Sequence, residues 1–243
     1  MALIDIARAV ADQVGFDRPP NIINSNDITA RQILAFANLE GINLSRAHNW
    51  TILCREHVFA TVSGQAEYAL PSDFDRLIDN TWWDKANYES LRGPLNPAEW
   101  QRKKNSIFGQ SQRQRDFRIR RGTGLLVNRF FIDPVPSASG EQIVFEYVSN
   151  QWVRDTDGAT LRNKWGQDSD VPLLDENLIS MGVVWRFKES KGLPYATQVA
   201  EYENERRQAM GRDGSAPILD MNPSRYLDTS LLGNQNIKEG SWP

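Results

Sequence analysis

Apolar residues recur at helical spacing at both ends of the chain and at strand spacing between them. Leu3, Ile6, Ala7, Val10 and Val14 share one face of a helix over residues 2–14, which Gly15 and then Pro19-Pro20 stop. A linker over 21–26 leads to Asn26 and Asp27, either of which caps a second helix. This helix carries Ile33, Leu34, Phe36 and Ala37 and runs to about Arg46, with Gly41 weakening its second half. From Trp50 the pattern becomes strand-like. Residues 59–62 read as a strand, Ser63-Gly64-Gln65 as a turn and residues 68–70 as the returning strand, ended by Pro71. Residues 77–83 are strand-like, and Asn96-Pro97 opens a short helix. Residues 117–120 and 125–131 read as a hairpin around Gly122-Thr123-Gly124, and 142–148 as a further strand. Residues 150–170 are polar and irregular. A third long helix is expected to open at Asp170-Val171-Pro172, with Leu174, Leu178, Met181 and Trp185 as its stripe, and to stop at Gly192. A fourth runs from about Tyr195 to Met210 on a thin stripe of Val199 and Tyr202.

This order predicts an α+β fold. The terminal helices, residues 1–56 and 171–210, form a helical bundle. A mostly antiparallel β-sheet lobe, residues 57–170, is inserted between them, and residues 211–243 form an extended C-terminal arm. The arm has no periodicity. Its apolar residues come as Ile218-Leu219, Tyr226-Leu227, Leu231-Leu232 and Trp242. Two readings are open: an arm that orders against a partner, or a loose tail.

Composition narrows the class. The 243 residues are 40% hydrophobic and 24% charged with a net charge of −3, a globular balance sufficient for one or two domains. No apolar run approaches the roughly 18 residues of a membrane span. Asp5 interrupts the first apolar stretch and no basic leader precedes it, so a secretory signal is not expected. Cys54 is alone, which excludes an intrachain disulfide and suits a reducing compartment. With His48 and His57 the only histidines, there is little material for a metal or His-based catalytic site, and no cofactor is expected. Eight tryptophans serve either as core or as contact surface.

Motifs that carry chemistry are weak. Gly122-Thr123-Gly124 lacks the third glycine and the following helix of a dinucleotide fingerprint. Cys54 and His57 are three apart, but no third group orients them as a nucleophile pair. Asp155-Thr156-Asp157-Gly158 lacks the closing glutamate of a calcium loop. Asp168, Asp170, Asp175 and Glu176 are explained by capping at a helix start, although paired carboxylates also serve glycan hydrolysis. The basic segment 101–121 is harder to set aside. Arg102, Lys103, Lys104, Arg113, Arg115, Arg118, Arg120 and Arg121 stand against Asp116 alone, a local +7 that leaves −10 for the rest of the chain. Such asymmetry suits an acidic-protein or phosphate contact, including non-specific nucleic-acid binding; a solvated loop is the other reading.

Trp50-Thr51-Ile52-Leu53, followed by Gly64, Tyr68-Ala69-Leu70-Pro71-Ser72-Asp73-Phe74 and later by Trp185-Arg186-Phe187-Lys188, resembles the head-to-tail adaptor proteins of tailed bacteriophages. These include the tail tubular protein A and tail accessory factor families. The resemblance spans roughly residues 25–210. It implies a structural protein rather than an enzyme, located in the neck of the virion. It implies a dodecameric ring of copies beneath the portal protein, with a further tail component below and double-stranded DNA passing through the lumen. On that reading Trp50, Gly64, Tyr68, Leu70, Pro71, Asp73, Phe74 and Trp185 are structural, the arm anchors to the portal, and the basic segment contacts the portal or the next tail protein.

Overall fold

The computed structural model describes residues 1–105, 114–122 and 127–214. In chain order its elements are α1 (Leu3–Val14), α2 (Ile28–Ala47), a single 3-10 turn (Thr51–Leu53), β1 (Cys54–Ala60), β2 (Glu67–Ala69), β3 (Phe74–Leu77), β4 (Trp83–Asp84), β5 (Glu89–Ser90), α3 (Pro97–Asn105), β6 (Asp116–Arg121), β7 (Asn128–Asp133), β8 (Gln142–Ser149), β9 (Val153–Arg154), β10 (Leu161–Arg162), β11 (Val171–Pro172), α4 (Glu176–Ser190) and α5 (Ala196–Asp213). The architecture is mixed, with helices from both ends of the chain packed together and antiparallel sheets between them in sequence.

The helical ends follow from local chemistry. Gly15 closes α1 at φ 87°, a left-handed cap that glycine adopts without strain. The Asp27 carboxylate accepts the N–H groups of Thr29 and Ala30 at the start of α2. Helix α4 lies at the centre, against α1, α2 and α5. Its buried residues include Leu178, Ile179, Val183, Val184 and Phe187, so it is enclosed on most of its circumference. The expected stripe through Met181 and Trp185 is therefore wrong: both are only half-buried. A helix with neighbours on three sides carries no single apolar face to read. Its start is also corrected, because Val171-Pro172 is strand β11 and the cap is Asp175, whose carboxylate accepts the Asn177 N–H at 2.8 Å.

Strand β8 organises the larger sheet. On one side every residue of β1 pairs with it, from Cys54 opposite Val148 to Ala60 opposite Gln142. On the other side β3 takes its C-terminal half and β4 its N-terminal half, with β5 beyond β4. A second sheet runs β2-β7-β6. The two sheets face each other across an aromatic layer. Phe117 stacks on Phe130 at 4.6 Å, and Phe130 on Phe145 at 5.4 Å. Phe59 meets Tyr68 and Phe130 from the β1 side. Each such pair adds about 0.5–1.5 kcal/mol beyond its buried area.

The expected hairpin of residues 59–62 with 68–70 does not form: β1 and β2 belong to different sheets. The turn between them is held by the 136–140 loop. The Gly64 N–H donates to the Pro136 carbonyl at 2.9 Å, and the Ser63 N–H donates to the Ser139 hydroxyl at 2.9 Å. The irregular reading of 150–170 holds for most of the segment, with β9 and β10 as short exceptions. These two strands form a small sheet with β11, and Trp152, Val153 and Trp165 are buried in the same apolar cluster as the helices. The Trp152 ring lies on α2 at Gly41, where an added Cβ would stand 2.1 Å from the ring. Gly41 is thus the site of a close approach rather than a weak point in a helix.

Candidate functional site

The segment from Gly64 to Phe74 carries the chain from one sheet to the other and back. Tyr68 of β2 holds the preceding turn: its hydroxyl accepts the Val62 N–H at 3.0 Å and donates to the Gln65 carbonyl at 2.9 Å. Pro71 begins the return bend, closed by the Phe74 N–H on the Pro71 carbonyl at 3.1 Å. Leu70 and Phe74 flank the aromatic layer, and Phe74 stacks on Tyr147 at 5.8 Å. Between them Asp73 is buried, and its carboxylate is the hub of the crossover. It accepts Arg55 Nη1 at 2.8 Å from β1, and the Tyr147 hydroxyl at 3.0 Å and Ser149 hydroxyl at 2.7 Å from β8. Burial, and next the Asp73 carboxylate, push the Tyr147 phenol above its ordinary range. The structure makes Asp73 the tie between three strands.

A second buried carboxylate went unrecognised in the sequence. Glu40 lies in α2, wholly buried, and accepts hydrogen bonds from Arg186 of α4 and the Tyr202 hydroxyl of α5. Burial pushes its carboxyl above the ordinary value, and Tyr202 and Arg186 pull it back in part. The Tyr202 phenol is held protonated, first by burial and then by the Glu40 charge. Gly182 makes room: a Cβ there would stand 2.4 Å from the Glu40 carboxyl carbon. The only sequence signal was a glutamate placed among Ala37, Leu44 and Ile33 on the buried face of α2. Trp185 lies beside this group, with the Arg186 guanidinium 4.3 Å from its ring, and Trp50 is anchored by its indole N–H on the Leu44 carbonyl at 2.6 Å.

The basic segment is divided rather than gathered. Lys103 is buried under α3, 2.8 Å from Asp116 and 3.6 Å from Asp133. Arg115 is ion-paired with Asp84 at 2.8 Å and with Glu141. These two cations are structural, which corrects the reading of the segment as one polar loop. Arg102 and Lys104 are exposed on α3, with the Lys104 ammonium 5.5 Å from the Trp100 ring. Arg118 and Arg120 lie on the outer face of β6, and Arg121 is exposed at its end. Arg113 lies outside the described residues.

The remaining candidates are kept apart. On β1, His57 stacks between Phe59 and Phe145 in the inter-sheet layer, while Cys54 packs against the helical cluster, so they face opposite ways. Burial raises the Cys54 thiol pKa, opposite to what a nucleophile needs. Asp168 accepts the Ile22 and Ile23 N–H groups, Asp170 accepts those of Gly166 and Gln167, and Glu176 pairs with the Met1 amino group. Each has its own structural partner. Among the described residues no group of three or more His, Cys, Asp or Glu side chains is placed to hold a metal ion. No described helix is long and apolar enough to cross a membrane.

Helix α5 continues past its expected end at Met210 to Asp213, so the first three residues assigned to the arm are helical. There the Asp213 carboxylate accepts the Thr51 N–H at 2.8 Å and lies 3.5 Å from His48. Ile218, Leu219, Tyr226, Leu227, Leu231, Leu232 and Trp242 lie outside the described residues.

Comparison with curated proteins finds no match. Comparison with protein families does: residues 1–225 match the model described as SU10 adaptor protein, covering the resembling motifs, both carboxylate hubs and every described element. The chain belongs to the SU10 adaptor protein family, a family of phage head-to-tail adaptors.

Proposed function

We propose that this chain is a ring-forming subunit of a phage head-to-tail connector. On this reading it sits beneath the portal protein in the virion neck, in twelve copies, joins the capsid to the next tail component, and lets double-stranded DNA pass through the lumen. Its work is mechanical rather than catalytic. The observation that carries the reading is the family match over residues 1–225. The hubs at Asp73 and Glu40 agree with it, since each ties three elements together and neither opens to a substrate. The arm from 211 to 243 is the portal anchor in this reading, with its apolar pairs filling pockets on the portal.

Electron microscopy of particles that co-purify with the tagged chain from infected cells tests this. A ring between portal and tail is the expected result. Particles whose necks lack the tagged chain, with the chain recovered only as a free species, overturn the proposal.

A further inference from the structure

The two sheets turn opposite charges outward. The inner faces meet in the aromatic layer of Phe59, Phe117, Phe130 and Phe145. Because side chains alternate along a strand, the residues between these point away from the layer. On the β2-β7-β6 sheet they include Arg118, Arg120 and Arg129. Arg120 lies directly opposite Arg129 in the β6–β7 register. On the β8 sheet they include Glu56 and Glu146, which lie directly opposite each other in the β1–β8 register.

Like charges directly across a strand pair are destabilising, and each pair has only one long internal ion pair to offset it. Arg118 has no ion pair among the described residues, and the Arg120 guanidinium has only the face of the Phe131 ring, at 3.9 Å. Arg129 reaches Glu67 at 3.9 Å, and its buried Nε has no hydrogen-bond partner. Glu146 is exposed and makes no ion pair among the described residues. Glu56 has only Lys85, at 3.8 Å, with both side chains about half exposed. A pair so long and so wet contributes little.

The inter-sheet layer separates these faces, so one copy presents its carboxylates on one side of the lobe and its arginines on the other. A contact between two such faces is heterologous: it uses different surfaces of the two copies and propagates head to tail, closing into a ring when the rotation permits.

We propose that the occupant of the Arg118/Arg120/Arg129 face is the Glu56/Glu146 face of a neighbouring copy. This rests on the ring reading above and supplies its subunit contact. Guanidinium–carboxylate pairing across the contact is bidentate and directional, and it relieves the cross-strand repulsion on both sides at once. Val58, exposed beside the two glutamates on the same outer face, adds an apolar side chain to the contact.

The test uses the full chain as wild type, Arg120→Glu and Glu146→Arg. Each is assayed by sedimentation velocity and by loading onto DNA-filled particles that lack this protein. Both sites are exposed, and circular dichroism checks that each variant folds. Either single variant places like charges across the contact and is expected to self-associate at least about tenfold more weakly. An equimolar mixture of the two variants regains association and loading, because every contact in an alternating ring is then complementary. Variants that associate as wild type does, or a mixture as defective as its components, overturn the proposal. So does double-stranded DNA binding that Arg120→Glu abolishes while self-association is unchanged, since it assigns the arginines to nucleic acid. A wild-type chain that stays monomeric in solution and also fails to load defeats the adaptor reading itself. Equal loading of wild type and variants defeats only the paired faces.

Discussion

Asp73 and Glu40 are both buried carboxylates that tie three elements together, yet they are built differently. Asp73 joins strands already neighbours in one sheet, and its cation, Arg55, keeps 31% of its side chain in solvent. Glu40 joins three helices across 162 residues of sequence, and its cation, Arg186, keeps only 12%. When a buried pair loses one member, the destabilisation depends on whether the other can return to water. The β lobe can rehydrate its arginine and the helical bundle cannot.

Removing the two carboxylates should therefore break the symmetry between them. Glu40→Ala strands Arg186 and the Tyr202 hydroxyl inside the bundle and is expected to cost about 3–5 kcal/mol. Asp73→Ala leaves the Tyr147 and Ser149 hydroxyls unsatisfied but frees Arg55 toward solvent, for about 1–3 kcal/mol. Urea unfolding of both variants checks the order, and an Asp73→Ala variant less stable than Glu40→Ala would contradict this account.

Two glycines in the helical region lie under side chains that leave no room for a methyl group. Alanine in place of an interior helical glycine ordinarily stabilises by up to about 1 kcal/mol. Here Gly41→Ala drives a methyl into Trp152, which is 1% exposed, and Gly182→Ala drives one into Glu40. Both should lose about 1–3 kcal/mol through overpacking, Gly41→Ala more, because an indole ring yields less than a carboxylate stem. Thermal melts of the two variants measure this.

The smallest effect is one of sign with pH. Glu40 has a raised pKa in the fold, so its contribution is complete below its ordinary value of 4.5 and is lost as pH climbs through the folded value. His57 has a lowered one, so its contribution is complete above 6.5 and is lost as pH falls through the folded value. Denaturation midpoints across a pH series should rise more steeply with pH for Glu40→Gln than for wild type in the first window. They should flatten for His57→Phe in the second.

What the sequence revealed follows the same division. Helix boundaries fixed by local chemistry, such as Asp27 and Gly15, are legible because cap and helix are adjacent. The 64–74 motif is legible as a pattern, but not the sheet each half joins, since pairing is decided by β7 and β8 far along the chain. Glu40 is invisible because its partners lie in α4 and α5. The enclosed α4 conceals its packing because nearly every face is apolar. Lys103 and Arg115 were counted as surface charge because linear charge density does not record which cations fold inward onto Asp116 and Asp84.

Asp213 sets where a pull on the chain beyond α5 would enter the fold. Chain continuing past Gly214 leaves from a residue hydrogen-bonded to Thr51, at the turn where α2 hands over to β1. A pull on that continuation is thus applied at the junction of the helical bundle and the sheet, not at the free end of a frayed helix. Tension divides between the two, and α5, buried only at Tyr202 and Ala209, need not peel from its C-terminus before the rest resists.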